Sequence, residues 1–295
     1  MISSRSAISV VWAATGSAFI LGAGGKIFNL LAMNSIEAVL NRFINPAWSV
    51  IASLIAAFLA FEVAADLPVR SAMRRAWWLM AASAASAFVR YVTELIVQLW
   101  NLKVPTDPII SLRQVPGVIA LVLLLASLLL IWISFARMGL GLSLGKRDLL
   151  GILAILILLP PIMSFRESLA DSGSIYLLFR YLQFSQPFLL AITGAFAVVL
   201  LRIAKEAGDG QLARSLRYLA YFLILRLFLM MGAIIPAVQQ IVPLRVVRGG
   251  LIIAVPWLFT LAIAYRWLLV AEAREALRGI APAPARTDRT MAGAR

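Results

Sequence analysis

The chain has neither histidine nor cysteine among its 295 residues. Without cysteine there are no disulfides, thiolate metal sites or thiol nucleophiles, and redox compartment leaves no mark on the sequence. Without histidine the chain lacks the commonest metal and haem ligand and the side chain that titrates nearest neutral pH. Histidine-based triads and zinc sites are therefore excluded. Charge is sparse as well. Only 14% of residues are charged and only 13 are acids, where soluble domains are about a quarter charged. No pair of intramembrane aspartates suits an aspartyl protease, and 250–270 holds no lysine for a retinal Schiff base. The glycine-rich run from Met138 to Gly145 lacks the strand context and the Lys-Ser/Thr ending of a phosphate-cradling loop. These absences point to a protein without intrinsic catalysis, cofactor or metal.

What the chain has instead is apolar length: 62% of residues are hydrophobic and the mean hydropathy is +0.95. The expected fold class is all-α, a polytopic transmembrane helix bundle. Its seven spans are Ala47–Ala65, Ala76–Leu99, Pro116–Met138, Leu149–Phe165, Pro187–Ile203, Leu216–Ile241 and Gly250–Val270. Several begin at a proline, which suits a first helical turn. Trp77 to Trp100 is the stretch the others are read against. As a helix it is ~36 Å long, enough to cross ~30 Å of hydrocarbon, with tryptophans at both headgroup levels. Its first half, Ala81 to Ala87, is an unbroken run of Ala and Ser, which lets neighbouring helices approach closely.

The chain divides into residues 1–46, a membrane bundle over 47–272 and a short tail over 273–295. Ala7 to Gly25 carries no charge and is rich in Gly, Ala and Ser. It reads as an eighth span or as the apolar core of a signal peptide. From Ser35, the spacing of Ile36, Val39, Leu40, Phe43 and Ile44 predicts a short interfacial helix, with a break at Asn45-Pro46. Pro282 and Pro284 stop the last helix, and a disordered tail is expected beyond them.

The formal charge of +14 is distributed between the spans rather than along a nucleic-acid-binding face. The connections near 66–75, 137–148 and 202–217, with the tail from 266, carry sixteen Lys and Arg; the alternate connections carry six. Positive-inside assigns the first set, and the C-terminus, to the cytoplasm of a bacterial-type inner membrane. The expected partners are membrane lipids, whose anionic headgroups meet the basic loops, and a separate protein or a second copy of the chain. No nucleic acid is expected.

A few polar residues lie deep in these spans. Arg90, Glu94 and Gln98 form one stripe at i, i+4, i+8, either an intrahelical pair that fixes packing or a polar site for a ligand. Gln186, Gln239 and Gln240 lie at similar depth. Pro160, Pro161, Pro236 and Pro256 each remove a helix hydrogen bond in the same half. Together these suggest a polar-floored cavity open to the outside. Arg226 stands alone in an apolar run, and depth counted from the cytoplasmic end makes Glu62 its expected partner in an interhelical clamp.

In topology alone the arrangement is similar to the membrane part of bacterial seven-helix signal transducers. That resemblance implies a receptor or sensor-like module that passes a signal to a cytoplasmic partner. A small transporter or channel, and an accessory or scaffold subunit of a membrane complex, are the other two readings.

Overall fold

The computed structural model describes the backbone of residues 4–31, 39–99, 106–140, 145–157, 177–234 and 241–280. All regular structure within these residues is helical. The long helices are α1 (Ser4–Leu30), α2 (Asn45–Asp66), α3 (Ala72–Leu99), α4 (Thr106–Arg137), α5 (Leu177–Glu206), α6 (Gln211–Ile234) and α7 (Val242–Ile280). Residues 146–157 are also helical. Among the described residues, five stretches are long and apolar enough to cross a membrane: Ser6–Leu30, Asn45–Asp66, Ala72–Leu99, Val115–Arg137 and Val242–Ala276. Of the other three expected spans, 149–165 and 216–241 run partly through residues outside the described ones, and 187–203 lies within α5, which is not among these five.

Among the described residues, α2 packs on α3, α3 on α4, α4 on α5, α5 on α6, α6 on α7, and α7 back on α2. The result is a closed ring of six helices, with α1 docked outside it, chiefly along α7. Neighbouring helices of the ring run antiparallel except at two seams: α4 and α5 are parallel because 146–157 intervenes between them, and α7 is parallel to α2. One end of the ring therefore gathers Asn45 with the start of α7 and the other gathers Asp66 with the end of α7. The centre of the Asp66 half is almost filled, with a void of only about 10 Å³. Met80, Leu128, Ile203, Leu223 and Ile263 are fully buried there, within one apolar cluster that draws on α2 to α7.

The helices close on one another through small residues. On α2, Ala52, Ala56 and Ala60 are completely buried, whereas Leu54 and Phe58 are 53% and 62% exposed. A water-soluble helix would reverse this arrangement. Large apolar groups outside and small ones inside fit a lipid surround, where close backbone packing drives association. Side-chain hydroxyls add bonds across the seams: Ser83 to the Ala120 carbonyl (2.7 Å), Ser86 to Pro116 (2.8 Å) and Ser127 to Ala76 (2.8 Å) join α3 and α4. Ser215 donates to Ala262 at 2.7 Å and Thr260 to Ala52 at 2.9 Å, tying α7 to α6 and α2.

Three boundaries differ from the sequence expectation, each because proline sits inside a helix. Asn45-Pro46 is no break, since Leu40–Ile44 forms a π-helical turn that runs directly into α2. The wider i+5 bond from the Asn45 N–H to the Leu40 carbonyl accommodates a ring that would crowd an ordinary α-turn. Pro116 lies within α4, which starts ten residues earlier at Thr106, and α5 likewise runs through Pro187. The helix expected to lie in the interface from Ser35 falls partly outside the described residues. Glycine closes two helices: Gly139 and Gly208 have φ of 80° and 79°, left-handed values that favour residues without a Cβ.

α1 is one continuous helix through Gly22. Trp12 donates to the Tyr265 hydroxyl at 3.2 Å, and Trp48 of α2 donates to the Ala14 carbonyl at 3.4 Å. The backbones meet at Gly22, where an added Cβ would fall 2.2 Å from the Gly249 oxygen, while one added at Gly24 would meet nothing within 4 Å. Both alanine substitutions remove the same glycine penalty, about 1 kcal/mol in a helix interior. Gly24→Ala is expected to hold or raise the melting temperature in mild detergent. Gly22→Ala is expected to lower it by several degrees, since overpacking of this kind costs about 1–3 kcal/mol.

Candidate functional site

The half of the ring bearing Asn45 is not solid. A cavity of about 570 Å³ lies between α2, α3, α4, α6 and α7, within the size range of small-molecule sites. Each helix contributes one stripe at helical spacing. α2 gives Asn45, Ser49 and Ser53; α3 gives Ser83, Ala87, Arg90, Tyr91 and Glu94; α4 gives Gly117, Leu121 and Leu124. α6 gives Phe222, Arg226 and Leu229, and α7 gives Arg248, Ile252, Val255, Pro256 and Phe259. In every helix the residue nearest the Asn45 end marks the mouth and the one furthest from it marks the floor. From Arg248 to Phe259 the wall runs ~16 Å by helical rise.

Among the described residues, three arginines and one glutamate line this space. Arg90 lies across Gly117, where an added Cβ would come within 3.1 Å of its Nη1 and 3.2 Å of its Cδ. The absence of a side chain at Gly117 thus makes room for the guanidinium between α3 and α4. Its Cζ is 5.9 Å from the Tyr91 ring centroid, and that of Arg226 is 5.9 Å from the Phe222 ring. Both are at the outer limit of a cation–π contact. Among the described residues no ion pair holds Arg90 or Arg226. The hydroxyls on the floor are already committed. Ser49 donates to the Asn45 carbonyl, Ser53 to Ser49 and Ser83 to Ala120, so they ask little of a ligand.

Of the residues singled out in the sequence, Arg90, Glu94 and Arg226 come together on one cavity, and Pro256 stands on its wall. Gln98 does not line it, and its buried Oε1 has no hydrogen-bond partner. The side chains of Gln186, Gln239 and Gln240, and Pro160, Pro161 and Pro236, lie outside the described residues. The expected Arg90–Glu94 pair is not formed. The Glu62–Arg226 clamp is not formed either. Arg226 shares its cavity with Ser53, whereas Glu62 is nine residues, ~14 Å, further along α2. The adjacent Phe61 meets Trp78 edge-on at 5.0 Å, twelve residues before Arg90. The depth count failed because it measured each helix from an assumed membrane boundary; among the described residues α6 packs on α5 and α7 and has no contact with α2.

Arg248, Tyr91 and the Asn45–Ser49–Ser53 stripe were not foreseen as site residues. The stripe was legible as i, i+4, i+8, but Arg248 reads as a loop cation until α7 is known to begin at Val242. At the opposite end, Asp66 pairs with Arg274, and Gln211 donates to Glu272 at 2.8 Å, fastening the end of α7 to α2 and α6. Among the described residues there is no group of three acids that could hold a metal ion. No family model matches the chain, and no curated protein or solved structure matches it.

With Glu62 and Arg226 in separate surroundings, Glu62→Gln and Arg226→Met should act independently. The melting free energies of the two single variants and the double variant in detergent are expected to add, with a coupling below about 0.5 kcal/mol. A larger favourable coupling would restore the clamp.

Proposed function

We propose that this is a non-catalytic, multi-pass protein of a bacterial-type inner membrane, receptor-like or sensor-like, that takes its ligand from outside and signals to a separate cytoplasmic protein. The carrying observation is the division of the ring into an arginine-lined cavity at one end and an almost filled apolar half at the other. A receptor needs a site and a relay, and this arrangement offers both. A channel needs a continuous path, and the fully buried Leu128, Ile203 and Ile263 across the Asp66 half weigh against one.

On this reading seven spans and an N-terminal eighth cross the membrane, with the C-terminus inside. Two features support that count and direction. α1 runs antiparallel to α7, with Gly22 beside Gly249 and Trp12 beside Tyr265, which sets Arg5 at the same end as Arg274. That end also carries Arg70, Arg74, Arg137, Arg202, Lys205 and Arg217, in keeping with the positive-inside rule.

The absence of cysteine from the chain makes the direct test simple. Single Ser53→Cys and Arg70→Cys variants are treated with a membrane-impermeant thiol reagent in spheroplasts and after permeabilisation. Ser53→Cys is expected to react from outside through the cavity, and Arg70→Cys only after permeabilisation. The reverse pattern would overturn the orientation. Rapid ion or solute flux through reconstituted protein would replace the receptor by a transporter or channel.

A further inference from the structure

We propose that the cavity binds an amphiphile whose head is a phosphate monoester, held between Arg90, Arg226 and Arg248 with its apolar body on the cavity floor. This deepens the receptor reading and rests on it, since it takes the cavity to be the ligand site.

Charge is the first argument. Three guanidinium groups face one carboxylate, Glu94, so the lining drawn from the described residues carries two net positive charges. Arginine stays protonated at any physiological pH, so this excess cannot be relieved by losing protons. Cations inside a helical bundle are costly unless paired, and Arg90 and Arg226 make no ion pair among the described residues. A phosphate monoester, approaching two negative charges at neutral pH, balances the excess. A carboxylate or a phosphodiester supplies only one charge, and a neutral or zwitterionic head supplies no net charge.

Geometry is the second. Arg90 is on α3 and Arg226 on α6, and these helices do not pack against each other. Their side chains therefore reach the same void from opposite walls, with Arg248 on α7 nearer the mouth. Guanidinium forks converging from several directions suit the tetrahedral oxygens of a phosphate, and each can donate two parallel bonds. Gly117 adds a positioning element, because the lack of a Cβ there leaves Arg90 its place.

The third argument is what lies beneath the arginines. Leu121, Leu124, Phe222, Val255 and Phe259 form the floor, and the nearby serine hydroxyls are spent on backbone carbonyls. Such a floor favours an apolar body over a second polar group. A phosphate ester of this kind has two sources, a membrane lysolipid or a soluble phosphate ester, and the two differ in that body.

The test uses the full-length protein in a neutral detergent, with binding followed by native mass spectrometry and titration calorimetry. Lysophosphatidic acid, which carries both head and tail, is compared with glycerol 3-phosphate (head alone), a monoacylglycerol (tail alone) and lysophosphatidylcholine (zwitterionic head). Lysophosphatidic acid is expected to bind at least tenfold more tightly than each of the other three. Arg90→Gln and Arg226→Gln are each expected to weaken it by tenfold or more, while Arg70→Gln, at the other end of the ring, leaves it unchanged. Equal binding of monoacylglycerol or lysophosphatidylcholine would overturn the proposal, and that comparison needs no variant to fold. Glycerol 3-phosphate binding as tightly as the lysolipid would overturn the apolar body and favour the soluble source. No binding of any phosphate probe, with Ser53→Cys still labelled from outside, would remove the proposal and leave the receptor reading standing. Labelling of Ser53→Cys from inside alone would remove that reading, whatever binds.

Discussion

Close approach of helix backbones is the constraint on which the rest of this molecule depends. In a lipid surround, burying a leucine between helices gains little over leaving it against acyl chains, so association must come from packing and from polar bonds. The chain meets this with alanine, serine and glycine on the inner faces. Ala52, Ala56 and Ala60 let α2 settle against its neighbours, and Gly22 meets Gly249 backbone to backbone. Once helices are this close, a serine hydroxyl reaches the carbonyl of the next helix, as Ser83, Ser86 and Ser127 do between α3 and α4. These bonds fix register as well as distance, because each hydroxyl has one carbonyl within reach.

The same constraint explains where the cavity lies. A ring of six helices encloses more space than short side chains can fill, so its centre must be packed with large ones or left open. In the Asp66 half, Met80, Leu128, Ile203 and Ile263 fill it. In the other half, α2, α3 and α4 turn Ser49, Ser53, Ser83, Ala87 and Gly117 inward, too small to meet across the ring. Arg90, Arg226 and Arg248 project into the space left over. The space around them has room for a counter-ion. Small residues that serve packing at the seams therefore also create the void where a seam faces the centre.

Much of this architecture was legible in the sequence. The apolar runs, the Ala81–Ala87 seam and the shared face of Arg90 and Glu94 all follow from composition and from the helical period. What could not be read was register between helices. Glu62 suits Arg226 only if both are measured from the same assumed boundary; among the described residues their helices do not pack together, and Arg226 shares its cavity with Ser53, more than two turns of α2 from Glu62. Prolines misled for a related reason. Pro46, Pro116 and Pro187 look like starting points, but tertiary packing and a π-helical turn carry helices through them. Arg248 was hidden by the same error, since a helix assumed to start at Gly250 leaves that arginine in a loop.

α7 links the two halves. It packs against α1, α2 and α6, lines the cavity with Arg248 and Pro256, and ends in the Asp66–Arg274 and Gln211–Glu272 contacts. Pro256 removes one backbone hydrogen bond at the level where the cavity gives way to the apolar core, a place where a helix can bend at low cost. A ligand drawn to Arg248 would act on the part of α7 before that point, while Ser215 and Thr260 grip the part after it. For such a ligand to move the far end, it must bind the two bends of α7 with different affinity. The asymmetry of the arginines provides for this, because Arg248 moves with α7 while Arg90 and Arg226 belong to helices outside it. The distance between Arg248 and the other two cations is thus the coordinate that a shared anion would shorten.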